Sequence, residues 1–184
     1  MNGAGPYTRE VIKHFKSPHN YGKMKNPSGV GKVGNIVCGD VMWLYIKVEK
    51  DSDGKERIKD IKFETYGCVA AIATSSMITD LAKGKTLEEA MQIDKSEVVN
   101  SLRGLPPIKI HCSVLASDAL TEAIYDYLTR NKRAMPEKVK ERHDRIAKER
   151  LEIEKRYKEW IVMQKKPDRI DTALFSSHVL RTAC

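Results

Sequence analysis

The amino-acid sequence predicts an α+β fold, in which helices pack on one face of a three-stranded antiparallel sheet and a long charged C-terminal helix follows. Strand patterns within residues 30–65 precede most of the helical patterns, and strands followed by helices are typical of this fold class. From residue 131 onward the composition changes to a charged segment. The sequence therefore predicts a domain over residues 1–130 and a helical extension over residues 131–184.

The sheet is predicted to be a meander of three consecutive strands. In the second strand, Met42 and Leu44 lie on one face and alternate with side chains of the other, which is the period of a strand. A hairpin-type turn at residues 51–54 leads into the third strand. The three strands are predicted over residues 30–37, 42–48 and 58–65. Cys38, Gly39 and Asp40 then fall in the turn between the first two strands, and Cys68 falls at the end of the third.

The helical segments are marked by composition and by capping residues. Residues 69–83 are rich in Ala, Ile and Met, and Gly84 suits the position after a helix C-terminus. Thr86 and Glu89 match a capping box, which opens a short helix. An apolar stripe over residues 115–128 has helical spacing. Further helices are predicted over residues 8–16, 96–102, 113–130 and 136–166, with a short one within 167–184.

The predicted extension carries a narrow apolar stripe. Val139, Ile146, Ile153 and Trp160 recur every seven residues, but the intervening row is mostly polar. A strong coiled coil needs both rows to be apolar. We therefore expect a long helix that packs by this stripe on its own body or on a partner, and we hypothesise that it supports self-association into a homodimer or partner docking.

Charge and composition argue against a membrane-spanning, a secreted and a nucleic-acid-binding protein. No apolar stretch of the 184-residue chain could span a bilayer, and residues 1–16 lack the apolar region of a signal peptide. We therefore expect a cytoplasmic protein, in which four cysteines are more often metal-binding or reactive than disulfide-bonded. Of the 33 Lys and Arg residues, 15 follow residue 130, against 9 of the 25 Asp and Glu. The net charge of +8 lies mainly in the extension, where a solvated helix explains it better than nucleic-acid binding does.

Five side chains suited to binding a soft metal stand at the ends of the predicted elements. They are Cys38, Asp40, Cys68, His111 and Cys112. Thiolates suit zinc and iron–sulfur centres, and the neighbouring glycines let the backbone come close to an inorganic cluster. A closed structural site needs four permanent ligands, so five candidates indicate an exchangeable position. Because carboxylate is a hard ligand for thiol-bound iron, the bond to Asp40 should be the weakest.

The sequence around Cys112 favours a reactive thiol. Pro106 and Pro107 are expected to keep the chain extended, and His111 and Cys112 then stand directly in front of the helix predicted from residue 113. The positive end of a helix dipole favours the thiolate form. The remaining candidates are assigned no such role: His14, His19, His143 and His178 are expected to be surface or packing residues, and Cys184 an exposed tail thiol.

Over residues 7–130 the sequence resembles the IscU family of iron–sulfur cluster assembly scaffolds, which includes the N-terminal domain of NifU. The matching stretches are residues 7–15 with Pro18 and Asn20, residues 38–42 (CGDVM), 65–68 (TYGC) and 105–116, which begin LPPIKIHC. The resemblance implies that Cys38, Cys68 and Cys112 hold a nascent [2Fe–2S] cluster, with Asp40 or His111 near the fourth position. It also implies Fe²⁺ or Zn²⁺ in the cluster-free form.

The resemblance also implies partners. A cysteine desulfurase of the IscS or NifS type would deliver persulfide sulfur to Cys112, our choice of acceptor, and Asp40 would keep the cluster labile for transfer to apo-proteins. The segment bound by a DnaK-type chaperone, with its J-protein, would comprise Leu105, Pro106, Pro107, Ile108 and Lys109. Lys109 could also attract an anionic thiolate or persulfide. We therefore expect a carrier rather than a turnover enzyme.

Two other functions remain open at this stage. In a zinc enzyme, Asp40 or His111 would yield its position to an activated water, although no second carboxylate is clearly placed as a general base. In a structural zinc protein, the basic extension would bind nucleic acid. The colour and sulfide content of anaerobically purified protein distinguish both from the scaffold.

Overall fold

The computed structural model describes residues 5–35 and 39–165. Three consecutive strands form one antiparallel sheet in the order β1-β2-β3, which confirms the predicted meander. The strands are β1 (Gly29–Asn35), β2 (Asp40–Lys50) and β3 (Glu56–Tyr66). The helices are α1 (Arg9–Lys16), α2 (Val69–Ala82), α3 (Leu87–Ala90), α4 (Lys95–Ser101), α5 (His111–Arg130) and α6 (Glu137–Lys165). The α+β fold is therefore as predicted.

One face of the sheet forms the core. Met42, Leu44 and Ile46 alternate along β2, and all three are fully buried against the helices. Phe63 on β3 faces the same way and is fully buried too. Burying an aliphatic side chain of this size stabilises a fold by about 1.5–3 kcal/mol, so this face fixes the register of the sheet. The opposite face carries Tyr45, whose hydroxyl donates to Glu64 at 2.6 Å.

Two glycines of β1 bring α5 directly onto the sheet. A Cβ atom at Gly29 would collide with the backbone carbonyl of Ala123, and one at Gly31 would collide with that of Ala119. Because neither position has a side chain, the helix backbone rests on the strand backbone. The carboxylate of Asp126 on α5 also accepts the Val30 backbone N–H at 2.8 Å. Helix α5, which begins at His111, is thereby held in a fixed position relative to the sheet.

Helix α2 is buried on most of its surface. It packs against α1, β3, α4 and α5, and its buried residues include polar ones such as Thr74, Ser75 and Ser76. A helix that is apolar or small all round is typical of a central position. Each buried hydroxyl bonds to a neighbour, for example Ser75 to the Met42 sulfur at 3.2 Å. Helix α2 is therefore the element that connects the first helix, the sheet and the last core helix.

The structure corrects the prediction for the segment before Cys112. The proline pair leads into a 3-10 turn (Pro107–Lys109) rather than an extended segment, and α5 begins at His111, two residues earlier than predicted. Proline fits the first position of a helical turn because its fixed φ angle suits a helix and it needs no N–H there. Asp40 likewise opens β2 instead of lying in the preceding turn.

The extension begins with contacts on the body. The chain divides into compact units Met1–Ala147 and Lys148–Cys184. Within the first unit Val139 is buried, Ile146 packs against the core, and His143 stacks on Tyr125 with ring centroids 3.6 Å apart. The predicted boundary between residues 130 and 131 stays a prediction, and the helix predicted within 167–184 lies outside the described residues. No described helix is both long and apolar enough to cross a membrane.

Candidate metal centre

The start of one strand and the N-termini of two helices meet at one side of the sheet. Asp40 is the first residue of β2, Cys68 is the N-cap of α2, and Cys112 is the second residue of α5. Antiparallel pairing sets Val41 opposite Tyr66, which brings Asp40 beside the Gly67–Cys68 turn. The packing of α5 on α2 and β1 adds Cys112 to the same place.

The reactive atoms of these residues lie close together. The sulfur atoms of Cys68 and Cys112 are 3.9 Å apart. Oδ2 of Asp40 is 3.9 Å from the Cys68 sulfur and 3.7 Å from the Cys112 sulfur. Atoms this close can bind one metal centre, because two ligands of the same ion are commonly separated by 3–4 Å, about the distance that Zn–S bonds of ~2.3 Å require.

His111 completes the group. One of its ring nitrogens, one Asp40 oxygen and the Cys112 sulfur all lie within 4.8 Å of one another. Its Nε2 is buried and, among the atoms that the structure describes, has no hydrogen-bond partner. A buried polar atom without a partner costs about 1–3 kcal/mol, so its position calls for a ligand. The donor set of two thiols, an imidazole and a carboxylate fits zinc or an iron–sulfur centre.

Gly67 leaves room for the Asp40 carboxylate. A Cβ atom at residue 67 would lie 2.7 Å from the Ala71 Cβ and 2.8 Å from Oδ1 of Asp40. The same oxygen accepts the backbone N–H of Cys68 at 3.2 Å. The Cys68 backbone N–H thus holds one carboxylate oxygen, Oδ1, and the other oxygen, Oδ2, lies toward the two sulfur atoms.

Two helix N-termini point at this group. Cys68 caps α2 without a side-chain hydrogen bond, and Cys112 lies in the first turn of α5. The positive end of each helix dipole stabilises negative charge, by about 0.3–1 kcal/mol in exposed cases. Lys109 adds a positive charge, and its coulombic interaction with Cys68 raises the pKa of this lysine. The site therefore favours thiolates and an anionic metal centre.

A small apolar cluster covers the Cys112 sulfur. Cys112 is 1% exposed and packs with Ala70 and Ala71, and Tyr7 and Leu105 close the cluster from the outside. Cys68 is partly exposed. In this state the Cys68 thiol is open to a partner, and the Cys112 thiol becomes accessible only when its cover moves.

The segment before α5 exposes an apolar side chain beside the site. Ile108 is 78% exposed, while Leu105 of the same segment packs against the Cys112 cluster. The structure thus brings together Asp40, Cys68, His111 and Cys112, with Pro106, Pro107, Ile108 and Lys109 adjoining. Cys38 and Cys184 lie outside the described residues.

Comparison with known proteins identifies the fold family. A family model described as the NifU-like N terminal domain matches residues 6–134. The chain belongs to this family. The match includes Asp40, Cys68, His111 and Cys112, and it ends just before α6.

Curated relatives are similar over the same region. The iron–sulfur cluster assembly scaffold protein IscU 1 of Archaeoglobus fulgidus is 57% identical over 125 residues, which cover 68% of this chain and 78% of that protein. The corresponding scaffold protein of Haemophilus influenzae is 49% identical over 124 residues, or 66% of this chain and 94% of that protein.

Solved structures share the fold. A putative cluster assembly scaffold protein for the SUF system from Fervidobacterium islandicum has a TM-score of 0.52 at 25% identity, covering 64% of this chain and 96% of that one. The N-terminal part of a NifU-like protein from Brucella abortus has a TM-score of 0.52 at 19% identity, covering 68% and 96%, and supports the fold alone.

In this NifU-like domain, sequence reasoning missed one supporting residue. The buried hydroxyl of Thr74 on α2 bonds to the backbone carbonyl of Cys112 at 3.1 Å, and it also approaches that of Ala71 at 3.1 Å. It connects the helix that begins after Cys68 with the helix that carries Cys112. A threonine within the Ala-rich run of α2 was the available signal, but its partner lies 38 residues away.

Proposed function

We propose that this chain is a scaffold on which a transient [2Fe–2S] cluster is assembled from iron and desulfurase-derived sulfur and then transferred to apo-proteins. The observation that carries the proposal is the approach of Cys68, Cys112 and Asp40 within 3.9 Å, at the N-termini of two helices. Relatives named as cluster assembly scaffolds, up to 57% identical, support it.

The cluster is the cargo of this site. Cys68 and Cys112 supply two thiolates, and we propose Cys38, two residues before Asp40 in the sequence, as the third. Thiolates bind iron tightly, whereas the Asp40 carboxylate is a harder and weaker ligand. His111 can take the fourth position when Asp40 leaves it, since both lie within 4.8 Å of the Cys112 sulfur. The same donors would hold Fe²⁺ or Zn²⁺ before a cluster forms.

Sulfur arrives as a persulfide. We propose that the Cys112 thiolate attacks the outer sulfur of a persulfide on the desulfurase, so that an S–S bond forms on Cys112 and the donor cysteine leaves as a thiolate. The first turn of α5 favours the attacking thiolate. Because Cys112 is 1% exposed, Tyr7 and Leu105 must move away from it before transfer.

The segment from Leu105 to Lys109 is the proposed docking site for a DnaK-type chaperone and its J-protein. Ile108 is exposed and follows two prolines, which suits a partner that binds extended apolar peptide. Leu105 packs on the Cys112 cluster. A chaperone that draws this segment outward would therefore also uncover the Cys112 sulfur, which links partner binding to release of the cluster.

We propose that the protein acts as a carrier rather than as a turnover enzyme. A scaffold of this kind releases no product other than the cluster, which it passes to recipient proteins. The proposed location is the cytoplasm, because a reducing compartment keeps cysteine thiols available to bind metal. Self-association through the extension also remains a proposal.

Anaerobic purification followed by an absorption spectrum and iron and sulfide analysis tests the function. We expect brown protein after reconstitution with iron, cysteine and a desulfurase, with equal amounts of iron and sulfide. Cys68→Ser should lose the colour, whereas Cys184→Ser is the matched control and should keep it. Colourless protein that binds zinc but never a cluster would support a zinc protein instead.

A further inference from the structure

A second group of metal-binding side chains lies where α1 meets α2. His14 is on α1, His19 follows in the turn after it, and Asp80 is on α2. One nitrogen of each imidazole and one carboxylate oxygen of Asp80 all lie within 4.8 Å of one another. The two rings have their centroids 4.8 Å apart and are tilted by 55°. We propose that His14, His19 and Asp80 bind a divalent transition-metal ion of the zinc type, at a site separate from the thiol pocket.

The side chains of this second site are held by neighbours. His14 is 3% exposed, and its Nδ1 lies 2.8 Å from Oγ of Ser76. The backbone N–H of His19 donates to the same Ser76 oxygen at 2.8 Å. A contact of one ring nitrogen with a polar partner fixes an imidazole so that the other nitrogen can face a metal, as in most histidine–metal sites.

The carboxylate is oriented in the same manner. Asn20 donates through Nδ2 to Oδ1 of Asp80 at 3.2 Å and to the Thr79 hydroxyl at 3.0 Å. Oδ2 of Asp80 then lies 2.6 Å from Nδ1 of His19. Binding of an ion would exchange this short contact for separate bonds from the imidazole and the carboxylate to one metal.

The chemistry of the donors suits zinc. Two imidazoles and a carboxylate are a known ligand set of this ion, with further positions left for water. The neutral imidazole is the form that binds metal.

The second site is distant from the first. Cys68 caps the N-terminus of α2 and Asp80 lies near its C-terminus, so about 18 Å of helix separates them at 1.5 Å per residue. A metal at His14, His19 and Asp80 would fasten α1 to the helix that carries Cys68. It would stabilise the fold without occupying a cluster ligand.

A matched control exists in the same chain. Nδ1 of His143 lies 2.8 Å from Oε1 of Glu122, so this pair resembles His19 and Asp80. The ring stacked on His143 is the phenol of Tyr125 rather than a second imidazole. His143 therefore tests whether a histidine–carboxylate pair binds zinc without a second imidazole.

The test uses Zn²⁺ and the full chain with Cys38, Cys68, Cys112 and Cys184 replaced by serine, which removes thiolate binding. We expect a single equivalent of zinc in equilibrium dialysis. His19→Gln and Asp80→Asn should each weaken binding by about tenfold or more, and His143→Gln should not change it. Zinc should also shift the imidazole NMR signals of His14 and His19, but not those of His143.

The cysteine-containing chain gives an independent measurement, because loss of all four thiols can affect folding. In that background His19→Gln should lower total zinc by one equivalent and leave the part that depends on Cys112. Equal zinc content with and without His19→Gln in the cysteine-containing chain would overturn the second site. That result would not affect the scaffold function, whose test is the cysteine-dependent cluster.

Discussion

The hydroxyl of Thr74 lies 3.1 Å from the backbone carbonyl of Cys112 and forms a hydrogen bond with it between α2 and α5. Both residues are fully or almost fully buried. Since Cys68 caps α2, this bond helps to set the spacing of the Cys68 and Cys112 sulfur atoms.

Thr74→Val keeps the size and shape of the side chain but removes the hydroxyl. We expect a loss of about 1–3 kcal/mol in unfolding free energy, because the Cys112 carbonyl loses a buried donor. Co²⁺ binding should weaken, and the thiolate-to-cobalt absorption should change. Thr74→Ser should restore both. Ser117→Ala is the control, since Ser117 is also buried and its hydroxyl bonds only within its own helix, to the Ser113 carbonyl of α5; an equal effect there would refute a positioning role for Thr74.

Gly67→Ala inserts a methyl group beside the Asp40 carboxylate. Its nearest neighbours would be 2.7 and 2.8 Å away, so Asp40 or Ala71 must shift, at a cost of about 1–3 kcal/mol. We expect lower stability and, if the methyl group displaces the exchangeable Asp40 carboxylate, slower loss of a reconstituted cluster, measured by denaturant unfolding and by decay of the cluster absorption. At Gly34 an added Cβ would meet its neighbours at 3.7 and 3.8 Å, so Gly34→Ala should change neither by more than about 0.5 kcal/mol.

Asp40→Ala removes the ligand that we propose to be weak and exchangeable. The bound cluster should become longer-lived, and transfer to an apo-protein should become slower, as followed by absorption and circular dichroism. The apo-protein should lose stability, because the Cys68 backbone N–H loses its acceptor. Asp126→Ala removes a similar carboxylate acceptor, that of the Val30 N–H, far from the sulfur atoms and should not change cluster lifetime. Faster cluster loss in Asp40→Ala would contradict the labile-bond idea.

Cys112→Ser should abolish sulfur acceptance from a desulfurase. A hydroxyl is not a nucleophile for a persulfide at neutral pH, whereas a thiolate at a helix start is. Mass spectrometry of the persulfide adduct, with Cys68→Ser in parallel, measures the effect. Normal transfer to the Cys112 variant would assign the acceptor role to the more accessible Cys68.

The extension can be tested by two truncations. Deleting residues 148–184 keeps Val139 and its neighbours, whereas deleting residues 134–184 exposes the surface that Val139 covers, at a cost of about 1.5–3 kcal/mol in unfolding free energy. Molecular mass in solution tests the self-association hypothesis. If the number of copies per complex is the same before and after deletion of residues 134–184, the self-association hypothesis is refuted.

The sheet and the main helices were predictable because their signals are local. Alternation in β2, the glycine after α2 and the capping box at Thr86 each depend on residues close in sequence, and the structure confirms them. The start of α5 was predicted two residues late. The sequence could not show that the turn after Pro107 is already helical, because the contact of Leu105 with the Cys112 cluster favours that geometry.

The proximity of three candidate side chains was predictable, whereas the residues that hold them in place were less so. Asp40, Cys68 and Cys112 each belong to a recognisable motif, and the structure brings them together. Thr74 and His14 have no such signal, because their partners are 38 and 62 residues away in sequence. A hydrogen bond of this range depends on how helices pack, which a single sequence does not reveal.

The two glycines of β1 that contact α5 affect the metal centre at the N-terminus of that helix. Because Gly29 and Gly31 let α5 lie directly on the strand, any side chain there would force the strand apart from the helix that carries Cys112. The absence of side chains at these two positions of β1 thus helps to place the Cys68 and Cys112 sulfur atoms where both can bind one iron centre.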